Sequence, residues 1–186
     1  ELNGAYFDEV VINLVDADVD TSVQVFLFGT GQTITIADTG GTTPDVATIA
    51  GVDVSADNRD VTLSFTGSDV NIAEGAIDLG NGNLTIETNG RSLSGSAGGG
   101  TDISAMALTV NAKDIQNFET AVSSISATTT GTSTGTATIT NSGTLTINSL
   151  NSNNSDLNLD NAGAIIIADN AINAGAGNID LDAGAN

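Results

Sequence analysis

The chain contains no cysteine and no histidine. Without cysteine there are no disulfides and no thiolate metal sites, although a missing cysteine does not by itself choose a compartment. Without histidine the commonest general base and metal ligand is gone. Tryptophan is also absent, proline occurs once (Pro44), and aromatics make up 3% of 186 residues. A core built from such a chain consists of Val, Ile, Leu and Ala in thin layers, with few large anchors. Basic residues are nearly missing too: Arg59, Arg91 and Lys113 stand against 23 acids, for a net charge of −20. That surface repels nucleic acid and anionic membranes, so neither is an expected partner. No apolar run approaches the ~20 residues of a spanning helix, so direct membrane insertion is not expected. The start "ELNGAYFDEVVINLVDADVD" lacks the basic opening and apolar stretch of a signal peptide. The chain begins without Met and stops inside a repeat, which reads as a processed product or a segment of something longer.

What the chain does contain is a repeat. "TITNSGTLTIN" (138–148) and "NLDNAGAIIIA" (158–168) align twenty residues apart. Ile139 falls on Leu159, Leu145 on Ile165, Ile147 on Ile167, Asn141 on Asn161 and Gly143 on Gly163. "DLNLDNAG" (156–163) lies over "NIDLDAGA" (178–185) at an offset of 22, with Leu157 on Ile179, Leu159 on Leu181 and Asp160 on Asp182. The two added residues are expected in the loop around "AINAGAG". Upstream, an offset of 21 lays Leu63 on Leu84 and Phe65 on Ile86.

Inside each unit apolar and polar residues alternate with period two, and the runs end at Asn-Ser-Gly, Asn-Ala-Gly or Gly-Asn-Gly. Alternation marks short strands, and Asn and Gly turn the chain between them. A meander of hairpins has no reason to keep a step of about 20 residues, whereas a solenoid coil repeats by construction. The expected fold is all-β: a right-handed parallel β-helix with coils of about 20–22 residues, a β-sandwich being the alternative. Leu145, Ile147, Leu159, Ile165, Ile167, Ile179 and Leu181 are its inward ladder. A single β-helix domain over 1–186 is expected, with 57–186 as the repeat coils. Residues 1–56 are less regular and read as a capping or decorated region. A weak helical spacing (Ile103, Ala107, Val110, Phe118, Val122) competes with strand over 103–122, where β-branched residues and Asn111 favour strand and loop.

Two groups of acids qualify as cation ligands. Asp16, Asp18 and Asp20 in "DADVD" resemble the start of a calcium loop. Thr21 stands where that loop needs Gly, however, and Leu27 where it needs Glu. Asp160 and Asp182 stack acid on acid in the offset-22 register, where Ca²⁺ would relieve their repulsion; two solvated carboxylates account for the same residues. No other cofactor is implied. Carboxylate pairs can cleave glycosidic bonds, but the three basic residues share no motif, so catalysis is not expected. Surface glycans remain conceivable partners through Tyr6, Phe26 and Phe28, the candidates for an exposed aromatic row. Threonine-rich "TTTGTSTGTATIT" (128–140) needs no more than ordinary strand propensity.

"ATITNSGTLTINSLN" and "AGAIIIADNAINAGAGNIDLDAGAN" resemble the β-strand repeats of large secreted bacterial adhesins of the filamentous haemagglutinin type. The resemblance covers 118–186 well, 61–90 fairly and the first fifty residues loosely. It implies export to the bacterial cell surface and a structural, non-catalytic role as an extracellular stalk, fibre or adhesin. The implied partners are neighbouring repeats or like subunits joined head to tail, and it transfers no catalytic residue. A carbohydrate-binding or polysaccharide-processing module on the same scaffold is the alternative.

Overall fold

The computed structural model describes residues 10–14, 22–26, 34–38, 46–53, 58–65, 67–88, 90–96, 98–131, 137–153 and 155–184. The chain opens with β1 (Val10–Leu14), β2 (Ser22–Phe26), β3 (Ile34–Asp38) and β4 (Val46–Asp53). The middle supplies β5 (Val61–Phe65), β6 (Asp69–Ile72), β7 (Ile77–Asp78), β8 (Asn83–Glu87) and β9 (Leu93–Ser94). Next come β10 (Ile103–Ala112), β11 (Ile115–Gln116), β12 (Phe118–Thr129) and β13 (Ala137–Asn141). The last are β14 (Leu145–Asn151), β15 (Leu157–Asn161), β16 (Ile165–Ile167), β17 (Ile172–Asn173) and β18 (Ile179–Ala183). Every described pairing is parallel and joins strands one coil apart, so the architecture is a parallel β-solenoid of about six turns. No helix occurs among the described residues, and the segment with competing helical spacing forms β10, β11 and the start of β12.

Alternation places the core. In β5 and β15 the burial pattern runs in and out residue by residue, with Val61, Leu63, Phe65, Leu157 and Leu159 sealed inside. Successive coils stack these residues in rows. One row passes through Val61, Leu84, Leu108, Ile125, Ile147 and Ile167. A neighbour passes through Leu63, Ile86, Val110, Ala127, Leu150 and Ile172. Parallel strands lie about 4.8 Å apart, so each aliphatic side chain packs on the one below as well as across the narrow interior.

The twenty-residue register over 139–167 is the register of the structure, as is the offset of 22 that follows. Two details differ from the sequence reading. Leu63 pairs with Ile86 and Val61 with Leu84, an offset of 23 rather than 21. A shift of two residues keeps each side chain on its face, so alternation alone could not tell these registers apart. The two added residues of the last coil enter between Ile167 and Ile172, ahead of the expected loop. There Asn170 adopts φ 57° and the Ala171 N–H closes a turn on the Ala168 carbonyl at 3.1 Å.

Corners impose their own demands. Gly143 sits at φ 93°, a region that L side chains rarely adopt. Gly163, one coil on, is required for a different reason: a Cβ there would lie 2.5 Å from the Gly143 carbonyl oxygen. The aligned glycines in the repeat thus serve one corner twice, first by conformation and then by clearance.

Candidate functional site

Four kinds of polar or open feature emerge from this scaffold. The first is a set of contacts by which an acid or amide in one coil holds the backbone of the next. Asp60 Oδ1 accepts from the N–H and Nδ2 of Asn83 at 2.8 and 2.9 Å. Asp156 Oδ1 does the same for Asn178 at 2.9 and 3.1 Å. Asp69 Oδ1 accepts from the Ser92 N–H at 2.8 Å, and Asn58 Oδ1 from the Asn81 N–H at 2.7 Å. Each spans 22 or 23 residues, one coil. These acids act as fasteners between coils.

The second is a buried amide stack. Asn141 and Asn161 point inward at 1% and 0% exposure. Asn141 Oδ1 accepts from the Val122 N–H at 2.9 Å and from the Thr120 hydroxyl at 2.9 Å. Its Nδ2 donates to Asn161 Oδ1 at 2.8 Å, and Asn161 Nδ2 donates to the Gly163 carbonyl at 2.8 Å. Burying such amides is tolerable because their groups are met by partners in the adjoining coils and at the corner of their own coil.

The third is Asp102, which is fully buried. Its two carboxylate oxygens accept from the Ser96 N–H at 3.2 Å and the Glu119 N–H at 3.1 Å, closing the glycine-rich corner of 95–102 on the next coil. Burial pushes its carboxyl above the ordinary value, with the Glu74 charge adding in the same direction and the two backbone donors opposing it. Gly95 lies against one of its oxygens with no room for a Cβ. A carboxyl enclosed in this way reaches no solvent and serves the corner. A depression of about 200 Å³ nearby is bordered by Gly99, Thr101, Glu119, Thr140 and Ser142. It is smaller than a typical ligand pocket.

The fourth is the open end of the column. In the coil below, Leu145, Ile147, Leu150 and Leu159 are fully enclosed. In the last coil their partners are not: Ile167 is 51% exposed and Ile172 37%, while Ile165, Ile179 and Leu181 are half-buried. Among the described residues β16 and β17 pair only with β14, and β18 only with β15. One edge of each strand therefore presents unpaired backbone beside uncovered aliphatic side chains. Ile166, also exposed, stands apart because its partner Thr146 belongs to an outward row.

Of the residues singled out from sequence, Asp160 and Asp182 do lie opposite each other, both exposed. Among the described residues no group of three or more Asp, Glu, His or Cys comes together to hold a metal ion. Asn158 meets Asp180, so amide and acid alternate beside the one acid–acid pair. Asp16, Asp18 and Asp20 lie outside the described residues, as do Tyr6 and Phe28, and nothing is described of the Phe26 side chain. Of the ladder, Leu145, Ile147 and Leu159 are enclosed, and the four members in the last coil form the open end. Sequence reasoning missed Asp102, which carries no local signal of an inward acid. It also missed the fasteners, although an Asp just ahead of an alternating strand is their visible mark. No known protein family, curated protein or solved structure matches this chain.

Proposed function

We propose that the chain is a structural, non-catalytic segment of an extracellular fibre or adhesin at a bacterial cell surface, where it sets length and presents a long polar exterior. The observation that carries this reading is the continuous column itself. Parallel coils are locked to one another by aliphatic rows, by fasteners such as Asp60–Asn83 and by the Asn141–Asn161 stack. A repetitive column gains length by adding coils, each joined only to its neighbours. The resemblance of 118–186 to secreted adhesin repeats supports the location, and the acidic surface suits a solvated exterior.

The test is immunogold electron microscopy with antibody raised against the chain, on intact cells of the source bacterium. Gold on fibres or at the surface of unbroken cells is the expected result. Labelling that appears only after permeabilisation overturns the proposal.

A further inference from the structure

The corner of 95–102 is an excursion from the column, and one side chain fastens it. Both of its ends are laddered to neighbouring coils. The Gly95 N–H donates to the Gln116 carbonyl at 2.9 Å, the Thr101 carbonyl accepts from the Gly75 N–H at 2.9 Å, and the Asp102 N–H donates to the Glu119 carbonyl at 2.7 Å. Between those ends, among the described residues, no backbone–backbone bond ties Ser96, Gly98, Gly99 or Gly100 to another coil. The Gly98 N–H meets only the Ser96 hydroxyl, at 3.4 Å. What holds the stretch is the Ser96 N–H on Asp102 Oδ1 at 3.2 Å, while Oδ2 of the same carboxyl accepts from the Glu119 N–H of the next coil at 3.1 Å. Three successive glycines, with Gly99 at φ 81°, leave the backbone free to move once that bond breaks.

We propose that this corner is a proton-operated clasp: with a proton on Asp102 it stays shut, and loss of the proton lets the stretch from Ser96 to Gly100 swing outward. Asp102 is fully enclosed, so its ionised form reaches water only when the corner opens. The charged groups on either side are both acids. Glu74, from the coil before, rests its carboxylate against Gly98 and Gly100, where an added Cβ would collide with its oxygens. Glu119 follows in the coil after, and no Lys or Arg acts on the Asp102 carboxyl.

Burial first, and the Glu74 charge with it, hold that carboxyl above its ordinary value, against the opposing pull of the Glu119 N–H and of the Ser96 N–H and hydroxyl. The shut corner therefore binds the proton more tightly than the open one. Closure is strongest below about 3.9, the ordinary value that an opened Asp102 takes, and it weakens as pH rises through the raised value of the shut state. Only the corner needs to move, since the aliphatic rows beneath it are unaffected. Gly99 also walls the depression bordered by Glu119, Thr140 and Ser142, so opening widens that depression as acidity falls.

The test is amide exchange at Ser96 and Glu119, read by NMR between about pH 3 and 7, with each rate divided by that of an unstructured chain at the same pH. Protection of both amides is expected to fall as pH rises, by no more than about tenfold per pH unit because a single proton is linked to opening. Asp102→Asn, folded by circular dichroism, cannot ionise there. It is expected to level the Ser96 curve and to leave the pH dependence of the Leu159 amide as it was. Glu74→Gln keeps Asp102 in place and removes one of the two causes of its raised value, so a smaller fall is expected. That variant decides the matter if Asp102→Asn does not fold. A Ser96 curve in the natural chain that is level or rises with pH overturns the proposal. So does a fall that survives in Asp102→Asn, or a Glu74→Gln curve identical to the natural one.

Discussion

Replacing Asn141 by Leu exchanges a buried amide for an aliphatic side chain of similar size, and the consequences can be worked atom by atom. Two buried groups lose partners: the Val122 N–H, which donates to Asn141 Oδ1 at 2.9 Å, and Asn161 Oδ1, which accepts from Asn141 Nδ2 at 2.8 Å; the Ser142 carbonyl, which accepts from the same Nδ2 at 3.2 Å, belongs to an exposed residue. The Thr120 hydroxyl keeps a partner, because the Thr140 carbonyl oxygen stands 3.1 Å away. Each orphaned buried group costs about 1–3 kcal/mol, and burying the new aliphatic surface returns about 2 kcal/mol. A net loss of about 2–4 kcal/mol is expected. The double variant Asn141→Leu/Asn161→Leu removes the orphaned Asn161 oxygen and sets Leu on Leu in the same row. It is therefore expected to cost about 1–2 kcal/mol less than the two single losses added together. Urea unfolding followed by circular dichroism at 218 nm measures all three, with an unchanged m-value showing that the same coils unfold. A single-variant loss below about 0.5 kcal/mol would refute the reasoning, as would strict additivity, since either means that the amides do not depend on each other.

Gly163→Ala is expected to destabilise by about 1–3 kcal/mol through overlap with the Gly143 carbonyl. Gly75→Ala, at φ 66° with open space around it, is expected to cost only the backbone strain of about 1 kcal/mol, and thermal melting ranks the two. The raised carboxyl of Asp102 gives a pH signature. A raised folded value contributes stability that is fully present below the unfolded value of about 3.9 and is lost as pH rises through the folded value. The stability advantage of the natural chain over Asp102→Asn is therefore expected to shrink from acid to neutral pH, read from melts of both at each pH. Asp182→Asn is expected to raise the melting midpoint by removing the acid–acid pair with Asp160, and more so at low salt. Calcium and sodium chloride at equal ionic strength are expected to stabilise the chain equally. A specific calcium effect lost in Asp182→Asn would show that a cation bridges the pair.

Period two and a return of about twenty residues were enough to identify the coil, because both are properties of the strands and both repeat. Leu145, Ile147 and Leu159 could be placed inside, and Asp160 set against Asp182, from the text of the sequence alone. Coil length between repeats was harder. The step from Leu84 to Leu108 is 24 residues and from Leu108 to Ile125 only 17, since corner length follows local turn chemistry such as the bend at Asn117 with φ 50°. The uncovered state of Ile167 and Ile172 was illegible for another reason. Like Ile147 they sit in short aliphatic runs, and what sets them apart is that no described strand pairs on their far side. Asp102 shows the same limit: an acid ahead of Ile103 reads as an outward corner residue until the Ser96 and Glu119 amides are placed around it.

Among the described residues the inner coils are held on both sides, whereas β16, β17 and β18 pair on one side only. Hydrogen exchange should therefore not be uniform. Amides of β16 to β18 would open first, those of β14 and β15 next, and loss of structure would advance inward as erosion from a margin. Proteases would find the same starting point. A further coil laid on that margin, from whatever source, would convert the weakest turn into an ordinary interior one.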